Sequence, residues 1–390
     1  MARILGVQAF GQFSEALLVS STFCMLACLG LQPMLQRDMP IMFVRRRVRV
    51  AVVAAMQCIV IAAGCFLVSS ILTLAAGASL LGIQRATMMS GLLHGLSQQV
   101  FLIATVESRS RGQPIRYSGQ NLIRGFLVFS GGILAALTWR SALGVILVEA
   151  TVSIAMTGGI LFGMFRSVHL SAAVACQLSI MRLSKVRWGS AGALLIVTTI
   201  GFVLLNIDRW IAAKTLSQVQ FSNYAFAWTL LTIAQAIQIV LNASVFPFLA
   251  RTYASAGLAS TYRLCLKVSC VLLICGAIAL TPAIVLSKYG VVRWFPAYRD
   301  SLSLVALFLL VGAIRTADFW ASFMMIVGRE RQLIVLNVVA ITVSFIVWTG
   351  YLNFWSEGRM GLWEVGILAA ILSVCNYLLT AGAAWRARLA

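Results

Sequence analysis

Long uninterrupted apolar runs recur along the whole sequence, and they constrain the fold more than any other feature. Residues 50–82, VAVVAAMQCIVIAAGCFLVSSILTLAAGASLLG, contain no charged side chain. A run of about 18 apolar residues or more is long enough to cross the hydrocarbon core of a bilayer. Backbone groups in lipid must pair within their own segment, so such runs are predicted to be helices rather than the short alternating strands of a barrel.

The composition agrees with a membrane protein, because 61% of the 390 residues are hydrophobic and only 10% are charged. Soluble domains carry about 25% charged residues. The predicted fold class is an all-α polytopic membrane protein with about eleven transmembrane helices. The predicted spans are 11–33, 50–75, 84–106, 118–138, 141–164, 189–212, 220–247, 264–287, 301–325, 332–354 and 362–385.

The formal charge of +20 comes from basic residues that are spread over many short loops. A nucleic-acid-binding protein would gather them on one face, so no nucleic acid partner is expected. Alternate loops hold nineteen basic residues on one side and eight on the other, and three lie within spans. Because lysine and arginine are retained on the cytoplasmic side, we expect a multi-pass membrane protein with a cytoplasmic C-terminus.

The first residues form an unusual beginning, since Leu5–Ala16, LGVQAFGQFSEA, has the character of a polar connector between membrane helices. The same pattern recurs at Leu216–Thr229, LSQVQFSNYAFAWT, where a helix precedes it. The two copies align Leu5 with Leu216, Phe10 with Phe221, Phe13 with Tyr224 and Ala16 with Ala227. This repeat predicts a twelve-helix plan of two six-helix lobes, from which the first helix is missing.

The two predicted lobes are joined by residues 165–188, FRSVHLSAAVACQLSIMRLSKVRW, which mix apolar and basic side chains. This pattern is typical of an amphipathic segment that lies on a membrane surface. We therefore predict an N-terminal transmembrane lobe at 1–164, an amphipathic cytoplasmic linker at 165–188 and a C-terminal transmembrane lobe at 189–390.

The sequence lacks the short motifs of common enzymes: a Walker A loop, GxSxG, HExxH and a strand-associated GxGxxG. The nine cysteines lie in or beside apolar runs without a CxxC, and neither His94 nor His169 has a ligand cluster near it in sequence. The prediction is therefore no enzyme, no catalytic residue, no metal and no cofactor. The GxxxG motifs at Gly91–Gly95 and Gly159–Gly163 indicate close helix packing.

Charged and polar side chains within predicted spans are the candidate functional residues, since an ionised group at mid-bilayer costs about 2.5–3.5 kcal/mol on insertion scales. Arginines suit an anionic phosphate or pyrophosphate, which a guanidinium binds in a forked manner; the candidates are Arg124, Arg209 and Arg315. Candidates for ion coupling or ion pairing are Glu15, Glu149, Asp208 and Asp318, of which Asp318 can pair with Arg315. Candidates for a polar cavity lining are Asn206, Gln235, Gln238 and Asn242.

Each candidate also has a structural explanation. Arg124, Glu15 and Arg209 lie close enough to a predicted interface to extend toward water. The Arg315–Asp318 pair and the glutamine–asparagine stripe are alternatively contacts that hold helices together. Glu149 is the hardest to explain structurally, since it lies mid-span with no basic neighbour in sequence, and a proton-linked role is open to it.

Three segments resemble the polysaccharide-biosynthesis flippases of the multidrug/oligosaccharidyl-lipid/polysaccharide exporter superfamily. Residues 3–40, beginning RILGVQAFGQF, are similar to the opening connector and second helix of that family. Residues 206–257, beginning NIDRWIAAK, resemble its seventh and eighth helices, with Asp208 and Arg209 at the place of the family's seventh-helix pair. Residues 294–310, WFPAYRDSLSLVALFLL, are similar to the entry to its tenth helix.

The resemblance implies a location in the bacterial inner membrane. It also implies a flippase that moves polyprenyl-pyrophosphate-linked oligosaccharide repeat units across that membrane by alternating access, for cell-surface polysaccharide such as the O-antigen of lipopolysaccharide. The implied partners are this lipid substrate, membrane lipids and other membrane proteins of polysaccharide assembly. Two alternatives stay open. One is an exporter of drugs or other small molecules on the same fold, and the other is a membrane-embedded polymerase or glycosyltransferase, against which the short outer loops count.

Overall fold

The computed structural model describes residues 1–76, 79–80, 82–356 and 360–389, with the side chains of 79, 80, 239, 240, 243, 244 and 247 left undescribed. Nearly all of the described chain is α-helical, which confirms the all-α prediction. The helices are α1 Ala2–Leu26, α2 Leu31–Val44, α3 Val48–Ala75, α4 Arg85–Ser110, α5 Pro114–Trp139, α6 Ala142–Val168, α7 Ala172–Met181, α8 Trp188–Thr215, α9 Gln218–Trp294, α10 Leu302–Ala317, α11 Trp320–Ile326, α12 Glu330–Trp355 and α13 Leu362–Leu389. Two 3-10 turns cover Leu183–Lys185 and Pro296–Ser301, and a small hairpin pairs β1 Ser79–Leu80 with β2 Ile83–Gln84.

The helices expose large apolar side chains outward, as a bilayer requires. Phe126 and Phe162, for example, are 67% and 69% exposed. By length and composition, eight helices within the described residues can cross a membrane, or nine if the bent pair α1–α2 counts as one span. The chain is therefore a multi-pass membrane protein.

Nine candidate spans in the described chain, with the bent pair counted as one, are two fewer than the eleven predicted spans, and each of the two has a local reason. Helix α4 covers the predicted span 84–106 but is absent from the eight, because polar residues such as His94, Gln98 and Gln99 lower its mean hydropathy. The predicted span 220–247 lies in the first part of α9, where five side chains are outside the described residues.

Helix α9 also corrects the predicted boundary between two spans. Residues 248–263, predicted as a loop, continue the helix, and the backbone departs from helical geometry at Gly257, where φ is +74°. A positive φ is easily adopted by glycine, which has no Cβ. A single glycine therefore separates two helical segments where sequence analysis placed a longer connection.

The predicted connector Leu5–Ala16 is helical as well, so this part of the prediction was wrong. Helix α1 departs from helical geometry at Gly6, with φ +75° and ψ 171°, and resumes at once. In the repeat alignment Gly6 stands opposite Ser217, which caps the beginning of α9 through a capping box with Gln220. The chain thus begins a new helix at the same place in both copies.

Helices α1 and α2 are inclined by 54° to one another. The bend falls at Leu29 and Gly30, whose φ values are +48° and +82°. The straight helix within the predicted span 11–33 therefore ends at Leu26, seven residues before the predicted end. Glycine at this bend is needed for the positive φ.

The chain divides into two compact units, Arg3–Phe202 and Val203–Ala390, with the boundary inside α8. In the first unit α4 packs on α3, α5 and α6. In the second unit α10 packs on α9 and α13, and α12 packs on α13. The division into lobes at 1–164 and 189–390 stays a prediction.

The predicted linker 165–188 contains α7, which packs on α3 within the first unit. The hydroxyl of Ser179 donates to the backbone oxygen of Val53 over 3.1 Å. Val174, Ile180 and Met181 on α7 remain exposed. Apolar exposure beside basic residues fits the predicted placement on a membrane surface.

Candidate functional site

A buried acid–base contact joins α4 and α6 in the first unit. Oε2 of Glu149 lies 3.3 Å from Nε2 of His94, and both side chains are nearly buried. Nδ1 of His94 is 2.8 Å from the hydroxyl of Ser20 on α1, and Nε2 is also 3.1 Å from the amide of Gln98. Glu149, which has no basic neighbour in sequence, therefore has one in space, and three helices meet around it.

Arg124 on α5 reaches the same helix α6. Its Nε donates to the hydroxyl of Ser153 over 3.0 Å, and its guanidinium lies 4.6 Å from the centre of the Phe101 ring. Ser153 in turn donates to the backbone oxygen of Glu149. We call His94, Glu149, Arg124 and Ser153 the α4–α6 cluster.

The GxxxG motif at Gly91–Gly95 allows α1 to approach this cluster. A Cβ at Gly91 would lie 2.7 Å from the backbone oxygen of Ala16, and one at Gly95 would lie 2.7 Å from that of Ser20. The second motif behaves differently, since nothing lies within 4 Å of a Cβ at Gly159 or Gly163. Only the first motif is a close helix contact in the described chain.

A second polar network in the first unit is centred on Gln99, which is fully buried. Its amide group contacts the thiols of Cys24 and Cys28 at 3.0 and 2.9 Å, and its Nε2 lies 3.4 Å from Oε1 of Gln32. All nine cysteines are free thiols. The thiols of Cys24 and Cys28 therefore make polar contacts with Gln99 on α4 and are not only small apolar side chains.

Arg315, in the last turn of α10, is the most buried arginine candidate in the second unit, with 6% of its surface exposed. Its Nε donates to the hydroxyl of Ser373 on α13 over 2.9 Å. Both terminal nitrogens, Nη1 and Nη2, lack a hydrogen-bond partner among the described residues. Burying unpaired donors of a charged group is costly, so these two nitrogens are the clearest orphaned polar atoms in the unit.

The predicted pair of Arg315 and Asp318 is not formed, since the ion pairs within the described chain do not include it. Asp318 ends α10, where the backbone leaves the helix with ψ 88°. Its Oδ2 accepts a hydrogen bond from Asn376 on α13 over 3.0 Å. The i, i+3 spacing that predicted the pair requires a continuing helix, and the helix stops at this position.

Asp208 and Arg209 on α8 find separate partners on α9. Oδ2 of Asp208 accepts a hydrogen bond from the hydroxyl of Tyr224 over 2.5 Å. The guanidinium of Arg209 lies 4.1 Å from the centre of the Trp228 ring. No ion pair within 4.0 Å joins Asp208 to Arg315 in the described chain.

The remaining candidates lie in both units. Nη1 of Arg209 lies 3.4 Å from Oδ1 of Asn206, as the i, i+3 spacing predicts. In the polar stripe of α9, Gln238 donates to the backbone oxygen of Asp318 and Asn242 accepts from Ser322, so these two join helices. Gln235 is half-buried, and Glu15 is buried in α1.

Sequence reasoning missed His94, Tyr224, Ser373 and Asn376 as parts of these clusters. His94 carried a usable signal, because His94 and Gln98 form an i, i+4 polar pair in an apolar run. Ser373 and Asn376 carried none, since a single serine or asparagine in a membrane helix is common. Within the described residues, no group of three histidine, cysteine, aspartate or glutamate side chains is placed to hold a metal ion.

No family model matches the sequence, and no curated protein sequence matches it. Solved structures do match. The inward-facing conformation of a multidrug resistance MATE family transporter of the MOP superfamily has a TM-score of 0.70 at 12% identity, covering 99% of this chain and 93% of that one.

A MOP superfamily transporter from Pyrococcus furiosus has a TM-score of 0.59 at 12% identity, covering 99% of this chain and 89% of that one. Reverse polarity of the binding pocket suggests a different function for that transporter. The MATE transporter ClbM in complex with Rb⁺ has a TM-score of 0.51 at 14% identity, covering 98% of this chain and 85% of that one. At these identities the likeness establishes the fold alone. The chain has the fold of MOP superfamily transporters.

Proposed function

We propose that the chain is a membrane transporter that works by alternating access and is not an enzyme. The likeness to transporters extends over 99% of the chain with a TM-score of 0.70, and this single observation supports the proposal most strongly. A fold by itself does not determine function, so the substrate must be argued from the side chains.

The fold likeness supports an exporter of small molecules at least as well as it supports a flippase. The neighbour with the TM-score of 0.70 is a multidrug resistance transporter. Acidic groups, which a site for cationic molecules needs, are present as the buried Glu149 and Asp208 and the half-buried Asp318. We therefore put forward small-molecule export as the first candidate.

A lipid-linked oligosaccharide flippase is the second candidate, and Arg315 is the observation that favours it. The side chain is buried, its Nε is held by Ser373, and Nη1 and Nη2 have no partner among the described residues. Two parallel donors on one guanidinium match two oxygens of a phosphate or pyrophosphate. Arg124 and Arg209 are the further candidates for the anionic group.

The acidic candidates are proposed for coupling. Glu149 contacts His94, so a proton or cation arriving at this pair would change the charge at the junction of α1, α4 and α6. Asp208 would respond in the same way in the second unit, and Glu15 and Asp318 are further candidates. Asn206, Gln235, Gln238 and Asn242 are proposed as polar positions along the substrate path.

One experiment separates the two substrate classes. A strain that lacks the chain is analysed for polyprenyl-pyrophosphate lipids by mass spectrometry and for its susceptibility to a panel of toxic compounds. A build-up of one complete lipid-linked repeat unit would support the flippase. Increased susceptibility with a normal lipid profile would support the exporter. Sugar transfer by the purified protein would overturn the transporter proposal itself.

The resemblance to polysaccharide-biosynthesis flippases supports a location in the bacterial inner membrane, and the charge asymmetry of the loops supports a cytoplasmic C-terminus. A cysteine introduced near the C-terminus, on a background without accessible thiols, tests this. It should react with membrane-impermeant reagents only after the cells are opened. Labelling in intact cells would contradict the proposed orientation.

A further inference from the structure

A basic pocket lies between the ends of two membrane helices in the first unit. The residues that line it are Arg46, Arg47, Val48, Arg49, Val50, Ser167, Val168 and His169. Its volume is about 380 Å³. It lies where α3 begins at Val48 and α6 ends at Val168, and both helices are long and apolar enough to cross a membrane.

The arginines are held on an ordered connection. Only Arg45, Arg46 and Arg47 separate α2 from α3, and the backbone amides of all three donate to the last turn of α2 over 2.8–3.0 Å. This short connection keeps Arg46 and Arg47 close to Arg49 along the chain, and all three residues line the pocket. All three side chains are exposed.

The positive charge of the pocket is not neutralised by the protein. The first unit contains four acidic residues, and none of them forms an ion pair with Arg46, Arg47 or Arg49 in the described chain. Asp38 pairs with Arg37 and Arg187, Glu107 with Arg111 and Arg116, and Glu149 with His94, while Glu15 is buried in α1. Among the described residues, no carboxylate lies within 4.0 Å of Arg46, Arg47 or Arg49.

The backbone adds to this charge, because α3 begins in the pocket without a side-chain cap. The first amides of a helix point outward without intrahelical partners and carry a partial positive charge. The exposed imidazole of His169 adds a further nitrogen, whereas the hydroxyl of Ser167 is engaged, since it donates to the backbone oxygen of Met164 and accepts from Arg111. Guanidinium groups and free amides together are the donors that phosphate oxygens prefer.

We propose that this pocket binds the phosphate headgroup of an anionic membrane lipid. The pocket lies at the ends of two helices that can span a membrane, and basic pockets between membrane helices are suited to such lipids. Loop arginines also serve to fix orientation during membrane insertion. That role needs charge alone, whereas a headgroup site needs these particular side chains around one cavity.

Native mass spectrometry of the full chain tests this proposal. The protein is titrated with phosphatidylglycerol or cardiolipin, with phosphatidylcholine as the zwitterionic comparison. The pocket variant is Arg46→Gln/Arg47→Gln/Arg49→Gln. The control variant is Arg109→Gln/Arg182→Gln/Lys185→Gln, which removes three exposed basic charges that the loop count places on the same side and that have no ion pair in the described chain.

The unmodified chain and the control variant should retain the anionic lipids and release phosphatidylcholine. The pocket variant should lose affinity by at least about tenfold, because its three arginines line one cavity and bind one headgroup together, whereas the control charges are spread over the surface. Equal retention by the pocket and control variants would overturn the proposal, as would an equal loss in both.

Two further measurements keep the result interpretable. The variant Arg46→Lys/Arg47→Lys/Arg49→Lys preserves the charge needed for insertion, and it should bind the lipids more weakly than the unmodified chain because lysine lacks the forked donors. Inorganic phosphate is titrated separately. Binding of free phosphate without binding of the lipids would show that the pocket takes a soluble phosphate, and it would overturn the lipid proposal.

Discussion

Nε2 of His94 lies 3.3 Å from Oε2 of Glu149, and this contact joins α4 to α6 inside the first unit. Ser20 on α1 contacts the other ring nitrogen of His94. A buried acid and a buried base that depend on one another are costly to separate, because the remaining partner loses its compensation. The contact therefore holds α4 and α6 together, and a change in its charge would act on α1, α4 and α6.

The His94–Glu149 contact predicts coupled effects of substitution. His94→Leu leaves the Glu149 carboxylate without its nearest partner, and the unfolding temperature of the detergent-solubilised protein should fall. The double variant His94→Leu/Glu149→Leu removes both polar groups and should unfold at a higher temperature than His94→Leu alone. Strictly additive losses in the double variant would show that the two side chains do not interact.

The glycines of α4 give a second prediction. Gly91→Ala would place a Cβ 2.7 Å from the backbone oxygen of Ala16. A backbone atom cannot rotate away as a side chain can, so we expect a destabilisation of about 1–3 kcal/mol. Thermal unfolding in detergent measures the effect.

Gly159→Ala is the matched control for the α4 glycine, because nothing lies within 4 Å of the added Cβ. Alanine is favoured over glycine inside a helix by about 1 kcal/mol, so this variant should be as stable as the unmodified chain or more stable. A similar fall in both variants would contradict the close approach of α1 to α4.

Tyr224 gives the third prediction. Its hydroxyl donates to Oδ2 of Asp208 over 2.5 Å, and Oδ1 of Asp208 has no hydrogen-bond partner in the described chain. Tyr224→Phe removes this donor from a buried carboxylate, and the loss should be about 1.5–3 kcal/mol. Tyr289→Phe changes an exposed tyrosine and serves as the control in the same unfolding measurement. Equal unfolding temperatures for the two variants would contradict the contact.

The sequence predicted the fold class because long apolar runs admit few structures in a bilayer. Individual boundaries were less predictable. Residues 248–263 were expected to form a loop on account of their polar and basic residues, yet only Gly257 interrupts the helix. Charge near a membrane surface is compatible with a helix, so charge alone does not mark its end.

The repeat indicated where corresponding helices begin and which of their residues are buried, which composition could not do. The four aligned pairs, from Leu5 and Leu216 to Ala16 and Ala227, are buried in both copies. Each copy begins its helix directly after the aligned position of Gly6 or Ser217. The pattern thus reflects the same requirement for helix initiation and packing in both units.

The candidate sites could be predicted only in part. Charges in apolar runs identified Glu149, Asp208 and Arg315, because burial of a charge is unusual enough to be informative. Their partners lie 16–58 residues away in sequence, as with Tyr224 for Asp208 and Ser373 for Arg315. Of the two pairs with i, i+3 spacing, Asn206 with Arg209 is formed. Arg315 with Asp318 is not, since α10 ends at Ala317 and the backbone of Asp318 is not helical.

Arg315 gives the fourth prediction, which follows from its two unpaired nitrogens. If they receive an anionic group, a polyprenyl pyrophosphate added to the purified protein should raise its unfolding temperature, since a ligand that binds the folded state stabilises it. Neutral polyprenol of the same chain length should raise it much less.

Arg315→Gln should abolish most of this difference between the charged and the neutral lipid. Arg315→Lys should retain part of it, because the charge stays but the forked pair of donors is lost. Arg293→Gln removes an exposed arginine of the same unit and should behave like the unmodified chain. If Arg315→Gln responds to the pyrophosphate as strongly as Arg293→Gln does, then Arg315 does not contact an anionic substrate. The acidic residues would then become the principal determinants of the substrate, and the small-molecule exporter would be the better supported candidate.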